Sequence, residues 1–165
     1  MQKIICFHNP KEINGFLSNW YPSRFKDENG IFYTSMEQYM MYQKAILFGD
    51  KKTAEKILSI DDVGKIKALG RQVSDFNEKI WSENKFNIVY NGIYLKFSQN
   101  PELKAKLLSY DKDCIFAECA VYDKIWGIGL SMHNPDRFNK SCWLGENLLG
   151  KAITKVRDNI IGKSV

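Results

Sequence analysis

Glu37 and Lys44 stand seven residues apart in a segment whose pattern predicts a helix. On an α-helix that spacing returns to within roughly 20° of the same face and separates the two groups by about 10 Å along the axis. They can therefore face one cavity. A glutamate in this place can equally serve as a capping-box carboxylate, and a lysine can extend its amine to the surface. The company of the pair raises the chemical reading. Tyr33, Tyr39, Met40, Met41, Tyr42, Ala45 and Phe48 leave the helix with little plainly solvated face, so the acid and the amine risk partial burial. Burial pushes both toward neutrality, the condition for a general acid or a nucleophilic amine.

A second group of chemically capable residues follows a strand pattern. Cys114-Ile115-Phe116-Ala117-Glu118-Cys119-Ala120-Val121 is apolar on both alternating faces except at Glu118, and Asp123-Lys124-Ile125-Trp126-Gly127-Ile128-Gly129 comes next. The ends of buried strands favour ligand sites, yet Asp123 can also close a β-turn by accepting backbone N–H groups while Trp126 fills the core. A third candidate is Gly145-Glu146-Asn147, which leads into a helix. Its free N–H groups and dipole can receive a phosphate, and a plain Asn cap accounts for it as well.

The elements that must position these residues are legible from caps and periodicity. Lys3 to Phe7 predicts a short strand, and Asn29-Gly30, between Arg24-Phe25 and Ile31-Phe32-Tyr33, predicts a two-residue hairpin turn. A helix is expected to begin after Thr34 or Ser35, with Glu37 or Gln38 as capping-box partner, and to run to about Gly49. Asp50 caps a second helix, and Asp61 or Asp62 caps a third that ends before Gly70. A longer helix is expected over Glu83 to Ser98, and Asn100-Pro101 opens another with Leu103, Leu107 and Leu108 on one face. The last helix, with Leu148, Leu149, Ala152, Ile153, Val156 and Ile160 aligned, closes at Gly162.

Composition narrows the function classes. The chain has 165 residues, 44% hydrophobic and 13% aromatic, which suits one folded domain over 1–165 with a real core and not a disordered segment. No apolar run approaches the ~20 residues that span a bilayer, and the start is too short for a signal-peptide core, so the expected location is cytoplasmic with no membrane partner. Cys6, Cys114, Cys119 and Cys142 lack paired metal-ligand spacing and read as reduced core residues; His8 and His133 are far apart. Neither a metal site nor another cofactor is expected. The formal charge of +5 is spread without a basic block, so a nucleic-acid partner is permitted but unsupported.

Taken in order, these pieces resemble the NADAR, or YbiA-like, family. The matching segments are Gly15-Phe16-Leu17-Ser18-Asn19-Trp20-Tyr21-Pro22, Tyr33-Thr34-Ser35-Met36-Glu37-Gln38-Tyr39 with Gln43-Lys44-Ala45, and Leu69-Gly70-Arg71. Trp81, Lys96-Phe97, Glu118, Asp123 with Trp126-Gly127-Ile128-Gly129-Leu130, and Gly145-x-Asn147-Leu148-Leu149-Gly150-Lys151 complete the set. The stretch from Ser131 to Ser141 is longer than in compact relatives. The resemblance implies an α+β, mainly α-helical single domain with a small β-sheet. It also implies an N-glycosidase that cleaves the bond between a base and C1′ of a ribose phosphate, without metal. Family substrates include phosphoribosylamino-pyrimidine intermediates of riboflavin synthesis and ADP-ribose attached to guanine. A small ribose-phosphate or ADP-ribose ligand is thus the expected partner, with riboflavin intermediates first; a guanine-specific ADP-ribosyl hydrolase acting on DNA or nucleotides and a non-catalytic nucleotide-binding module are the competing readings.

Residue by residue, the resemblance carries catalytic or stacking roles to Glu37, Trp81, Asp123 and Trp126, and Lys44 joins them on chemical grounds. Asn19, Tyr39, Gly127 and Glu118 fall within the family's motifs as substrate-binding candidates, and Arg71, Asn147 and Lys151 are candidates for the phosphate. Cleavage builds positive charge on C1′ and the ring oxygen, which a carboxylate beside the sugar and an acid beside the leaving base stabilise. Glu37 and Asp123 can fill those roles, with Trp81 and Trp126 stacking on the base. Alternatively Lys44 forms a Schiff base with ring-opened ribose.

Overall fold

A computed structural model describes residues 2–163 of the chain. The fold is α+β and mainly helical, built as two compact units: Pro22–Asn100, and Met1–Tyr21 together with Pro101–Val165. Among the described residues, four short strands form two separate two-stranded sheets, where the sequence suggested one.

In the unit Pro22–Asn100, strands β2 (Pro22–Lys26) and β3 (Phe32–Ser35) pair antiparallel, with an irregularity between Pro22 and Phe25. The hairpin loop is longer than the expected Asn-Gly turn, because Asp27 closes it. The Asp27 amide donates to the Ile31 carbonyl, and Asp27 Oδ1 accepts from the amides of Asn29 and Ile31 at 2.9 and 3.0 Å. Gly30 takes the left-handed backbone (φ 79°) that this loop requires. Helix α1 (Met36–Leu47) follows directly. Ser35 caps it by accepting from the Gln38 amide, and Gln38 Oε1 reaches back to the Thr34 amide at 2.8 Å. Gln38, and not Glu37, is therefore the capping partner, which leaves the Glu37 carboxylate outside that role.

Helices α2 (Lys51–Leu58) and α3 (Val63–Gly70) start at Asp50 and Asp62, whose side chains accept from Thr53 and Lys65 amides. Helix α4 (Glu78–Gln99) begins five residues before the expected Glu83, because Asn77 caps it through the Ile80 amide. The earlier start places Trp81 in the first helical turn. Gly92 lets α1 approach α4: a Cβ there would lie 2.5 Å from the Tyr39 ring and 2.8 Å from Met36. Tyr39 packs at 5.0 Å from Tyr33 and 5.8 Å from Phe25, ring centre to ring centre, within the aromatic core.

In the other unit, β1 (Ile4–Phe7) pairs parallel with β4 (Ile115–Glu118), Ile4 opposite Ile115 and Phe7 opposite Glu118. Strand β4 is shorter than the apolar run suggested and stops at Glu118. Helix α5 (Pro101–Leu108) precedes it, and α6 (Leu148–Lys163) packs on it through Leu149, Ala152, Ile153 and Val156. Among the described residues no third strand pairs with the outer edge of β4; side chains from α6 and its entry satisfy it. Asn147 Oδ1 accepts from the Glu118 amide, Asn147 Nδ2 donates to the Phe116 carbonyl at 2.9 Å, and the Thr154 hydroxyl accepts from the Phe116 amide. Gly150 permits this closeness, since a Cβ would sit 2.1 Å from the Phe116 carbonyl oxygen. Arg157, 1% exposed, holds the entry to β4 by donating to the carbonyls of Cys114, Asp111 and Lys112. The four cysteines are free; Cys6, Cys114 and Cys119 are buried and Cys142 is half-buried. No helix among the described residues is long and apolar enough to cross a membrane.

Candidate active site

Lys44 lies in the last turn of α1, where the approach of α3 brings backbone to its amine. Gly70 ends α3 against Met41, too close for any side chain, and the Gly70 carbonyl accepts from Lys44 Nζ at 2.7 Å. Two aromatic rings cover the same amine. Nζ stands 4.6 Å from the centre of Phe76 and 5.6 Å from that of Trp81, within cation–π range. Phe76 is itself held edge-on by Phe48 at 5.3 Å, and Trp81 is buried at the start of α4.

The electrostatics follow from that cage. Burial lowers the Lys44 ammonium from the ordinary lysine value, Glu78 and Glu37 raise it, and Arg71 lowers it further. Burial outweighs the carboxylates, so more neutral amine is present near pH 7 than on a surface lysine. Glu37 is buried at 4% exposure, one helical face with Lys44 and near enough to act on its charge. The structure thus brings Glu37, Lys44, Arg71 and Trp81 into one neighbourhood. Phe76, Glu78 and the Gly70 carbonyl were missed. An aromatic residue next to the Asn77 cap was the available signal for Phe76, whereas a backbone carbonyl carries none. Tyr39 sits in the aromatic core with Phe25 and Tyr33, its hydroxyl pushed up to about 12, chiefly by burial.

The remaining candidates belong to the other unit. Asp123 forms the turn that was its structural alternative: Oδ1 accepts from the Ile125 and Trp126 amides at 3.0 and 2.8 Å. Trp126 is half-buried beside it, and Gly127 has no room for a Cβ, which would lie 2.8 Å from the Asp123 carbonyl oxygen and 2.9 Å from that of Glu118. Glu118 is half-buried at the end of β4. Asn19 is buried in the turn after the Gly15–Leu17 helical turn, and its Oδ1 has no hydrogen-bond partner among the described residues. Lys151 is exposed on α6.

One expectation changes here. The entry to α6 is not an open anion site, because the amides of Glu146, Asn147, Leu148 and Leu149 already donate to the carbonyls of Lys124, Gly127, Ile125 and Trp126. The Asn147 side chain is likewise committed to β4, with left-handed backbone at φ 54°. A strand-end loop has taken the place a phosphate would occupy. Among the described residues, no group of three or more His, Cys, Asp or Glu stands close enough to hold a metal.

The fold is mainly helical α+β, and it holds a caged amine within the field of a buried carboxylate. Comparison with known proteins places it more closely. The NADAR domain family model matches residues 6–161, across both units, and the chain belongs to that family. It is 42% identical over 163 residues to the N-glycosidase R617 of Acanthamoeba polyphaga mimivirus, covering 94% of this chain and 95% of that one. It is 29% identical over 160 residues to the riboflavin biosynthesis protein VVA0006 of Vibrio vulnificus, of which the match spans 39%. The NMR structure of the E. coli protein YbiA shares the fold, with a TM-score of 0.80 at 26% identity over 99% of this chain and 89% of that one.

Proposed function

We propose that this protein hydrolyses the N-glycosidic bond of a phosphoribosylated base of the kind found among riboflavin intermediates, with Lys44 and Glu37 at the centre of the reaction. The enzyme class, a hydrolase of N-glycosyl bonds, rests on family membership and on the viral N-glycosidase relative. The substrate class draws support from the name of the Vibrio relative and from the chemistry of the site. One observation carries the reading: an amine depressed by burial, capped by Phe76 and Trp81, within the field of Glu37.

The reaction can be written around that amine. Neutral Lys44 Nζ attacks C1′ of the ring-opened sugar, the C1′–N bond to the base breaks, and the base leaves with a proton. The resulting iminium on Lys44 is hydrolysed by water, which frees the sugar phosphate and returns the amine. Glu37 supplies proton transfer and offsets the positive charge that develops at C1′. Trp81 offers a flat face to the base, and Arg71, exposed at the end of α3, offers its guanidinium to the phosphate. Asn19 enters the proposal through the family motif alone. Asp123 and Trp126 are assigned to the reaction by the family motif rather than by distance.

The test is incubation with a phosphoribosylaminouracil and, separately, with ADP-ribosylated guanosine, reading released ribose 5-phosphate against released ADP-ribose. Release from the first supports the proposal; release from the second alone assigns a guanine ADP-ribosyl hydrolase, and release from neither a binding module. Borohydride during turnover should add a reduced sugar to Lys44, read by peptide mass. Full activity in Lys44→Ala would remove the amine from the mechanism. Glu37→Gln should lower kcat by about 10²–10⁴-fold.

A further inference from the structure

We propose that a cavity beside α6, in the unit of Met1–Tyr21 and Pro101–Val165, is a second ligand site that takes a nucleoside monophosphate. The cavity measures about 510 Å³, inside the ~300–1,000 Å³ range of small-molecule sites. Asn147 and Lys151, two of the phosphate candidates, line it, whereas the residues around Lys44 and Glu118, Asp123 and Trp126 do not. The site therefore stands whatever base the enzyme releases.

The class of ligand follows from the charges and the aromatic ring that line the cavity. Thr154 is occupied, its hydroxyl donating to the Gly150 carbonyl and accepting from Phe116. Asp158 is neutralised by Arg157, whose Nε and Nη2 reach Oδ1 at 3.0 and 2.8 Å. The Asn147 amide is bound to β4. By count of charges the lining is cationic, with Lys140, Lys151 and Lys155 against Glu146 and the Arg157-paired Asp158. Lys140 Nζ donates at 2.7 Å to Gln2, a neutral amide, and Lys151 makes no ion pair among the described residues. Lys155 lines the same wall one helical turn past Lys151, with the Glu146 carboxylate opposing three ammonium groups. A ligand that balances this lining brings a phosphate.

The same cavity is lined by Trp143, whose indole Nε1 donates to the Arg137 carbonyl at 2.8 Å. That bond fixes the ring plane without using its face, and a fixed aromatic face beside cations suits a flat base joined to a phosphate. Trp143 packs one side on the core cluster of Cys6, Ala117, Cys119, Ile128 and Leu130, and the part of the ring that lines the cavity is what a base would meet.

The proposal is tested by titrating adenosine 5′-monophosphate, adenosine and inorganic phosphate into Lys44→Ala protein, which separates this binding from chemistry at Lys44. Calorimetry reads affinity, and the Trp143 indole N–H resonance, identified by its loss in Trp143→Phe, reads location. The nucleotide should shift that resonance and bind at least tenfold more tightly than either fragment. The double variant Lys140→Glu, Lys155→Glu, changed only at exposed positions, should weaken it at least tenfold. An unmoved Trp143 resonance, or unchanged affinity in the double variant, overturns the proposal. Phosphate binding as tightly as the nucleotide would overturn the ring part of the assignment.

Discussion

A lysine that must act as a nucleophile has to lose its proton, and the groups around Lys44 decide how readily. Burial favours the neutral amine, while Glu78 and Glu37 oppose that and Arg71 assists. If Lys44 attacks, kcat should rise with pH through a midpoint below the ordinary lysine value of 10.5. Removing the positive charge in Arg71→Ala should move that midpoint up; removing the negative charge in Glu78→Gln should move it down. A pH–rate profile in which neither variant moves the midpoint would show that another group titrates. Asp123 allows a second separation at this scale. Asn keeps an oxygen for the Ile125 and Trp126 amides, whereas Ala leaves both without an acceptor. Asp123→Ala should therefore cost about 1–3 kcal/mol in denaturant unfolding, and Asp123→Asn much less. Lost turnover in the folded Asn variant would assign the charge to the reaction.

Elements position these residues through close approaches that single glycines permit. At the crossing of α1 and α4, a methyl group on Gly92 would press into Tyr39 and Met36. Gly92→Ala should destabilise the protein by about 1–3 kcal/mol. It should also lower activity beyond what the stability loss explains, because Trp81 rides on α4 and Lys44 on α1; a lowered Tm with unaltered kcat would contradict that coupling. Caps explain why much of this was readable. Ser35, Asp50 and Asp62 each precede a helix and accept from an amide three residues on, a local pattern visible in the chain. The start of α4 was misplaced because Asn77, a cap of the same kind, lies before a stretch with weak periodicity. The two-residue hairpin was misplaced because the Asp27 carboxylate closes a wider loop.

Within the whole molecule, the balance of stability includes the buried amine of Lys96. Lys96 on α4 is 1% exposed, and burial lowers its ammonium to about 7. Between about pH 7 and the unfolded value of 10.5, the unfolded chain binds this proton and the folded one does not. Stability should therefore rise with pH across that window, and Lys96→Met should remove the slope. Unfolding midpoints of both proteins at pH 7, 8 and 9 provide the check, and parallel slopes would refute it. By itself, the sequence determined that Glu37 and Lys44 share a helical face, where the caps fall, and which family's ordered motifs the chain carries, since these depend on local spacing and residue type. Only the tertiary structure decided that the Gly70 carbonyl and the rings of Phe76 and Trp81 enclose the Lys44 amine, and that β1 pairs with a strand more than a hundred residues away. It also decided that carbonyls of the Lys124–Gly127 loop occupy the amides at the entry to α6. Each of these is a contact between backbone or side-chain groups distant in the chain, and hydrogen-bonding capacity is the same at every peptide, so only the folded path selects the partner.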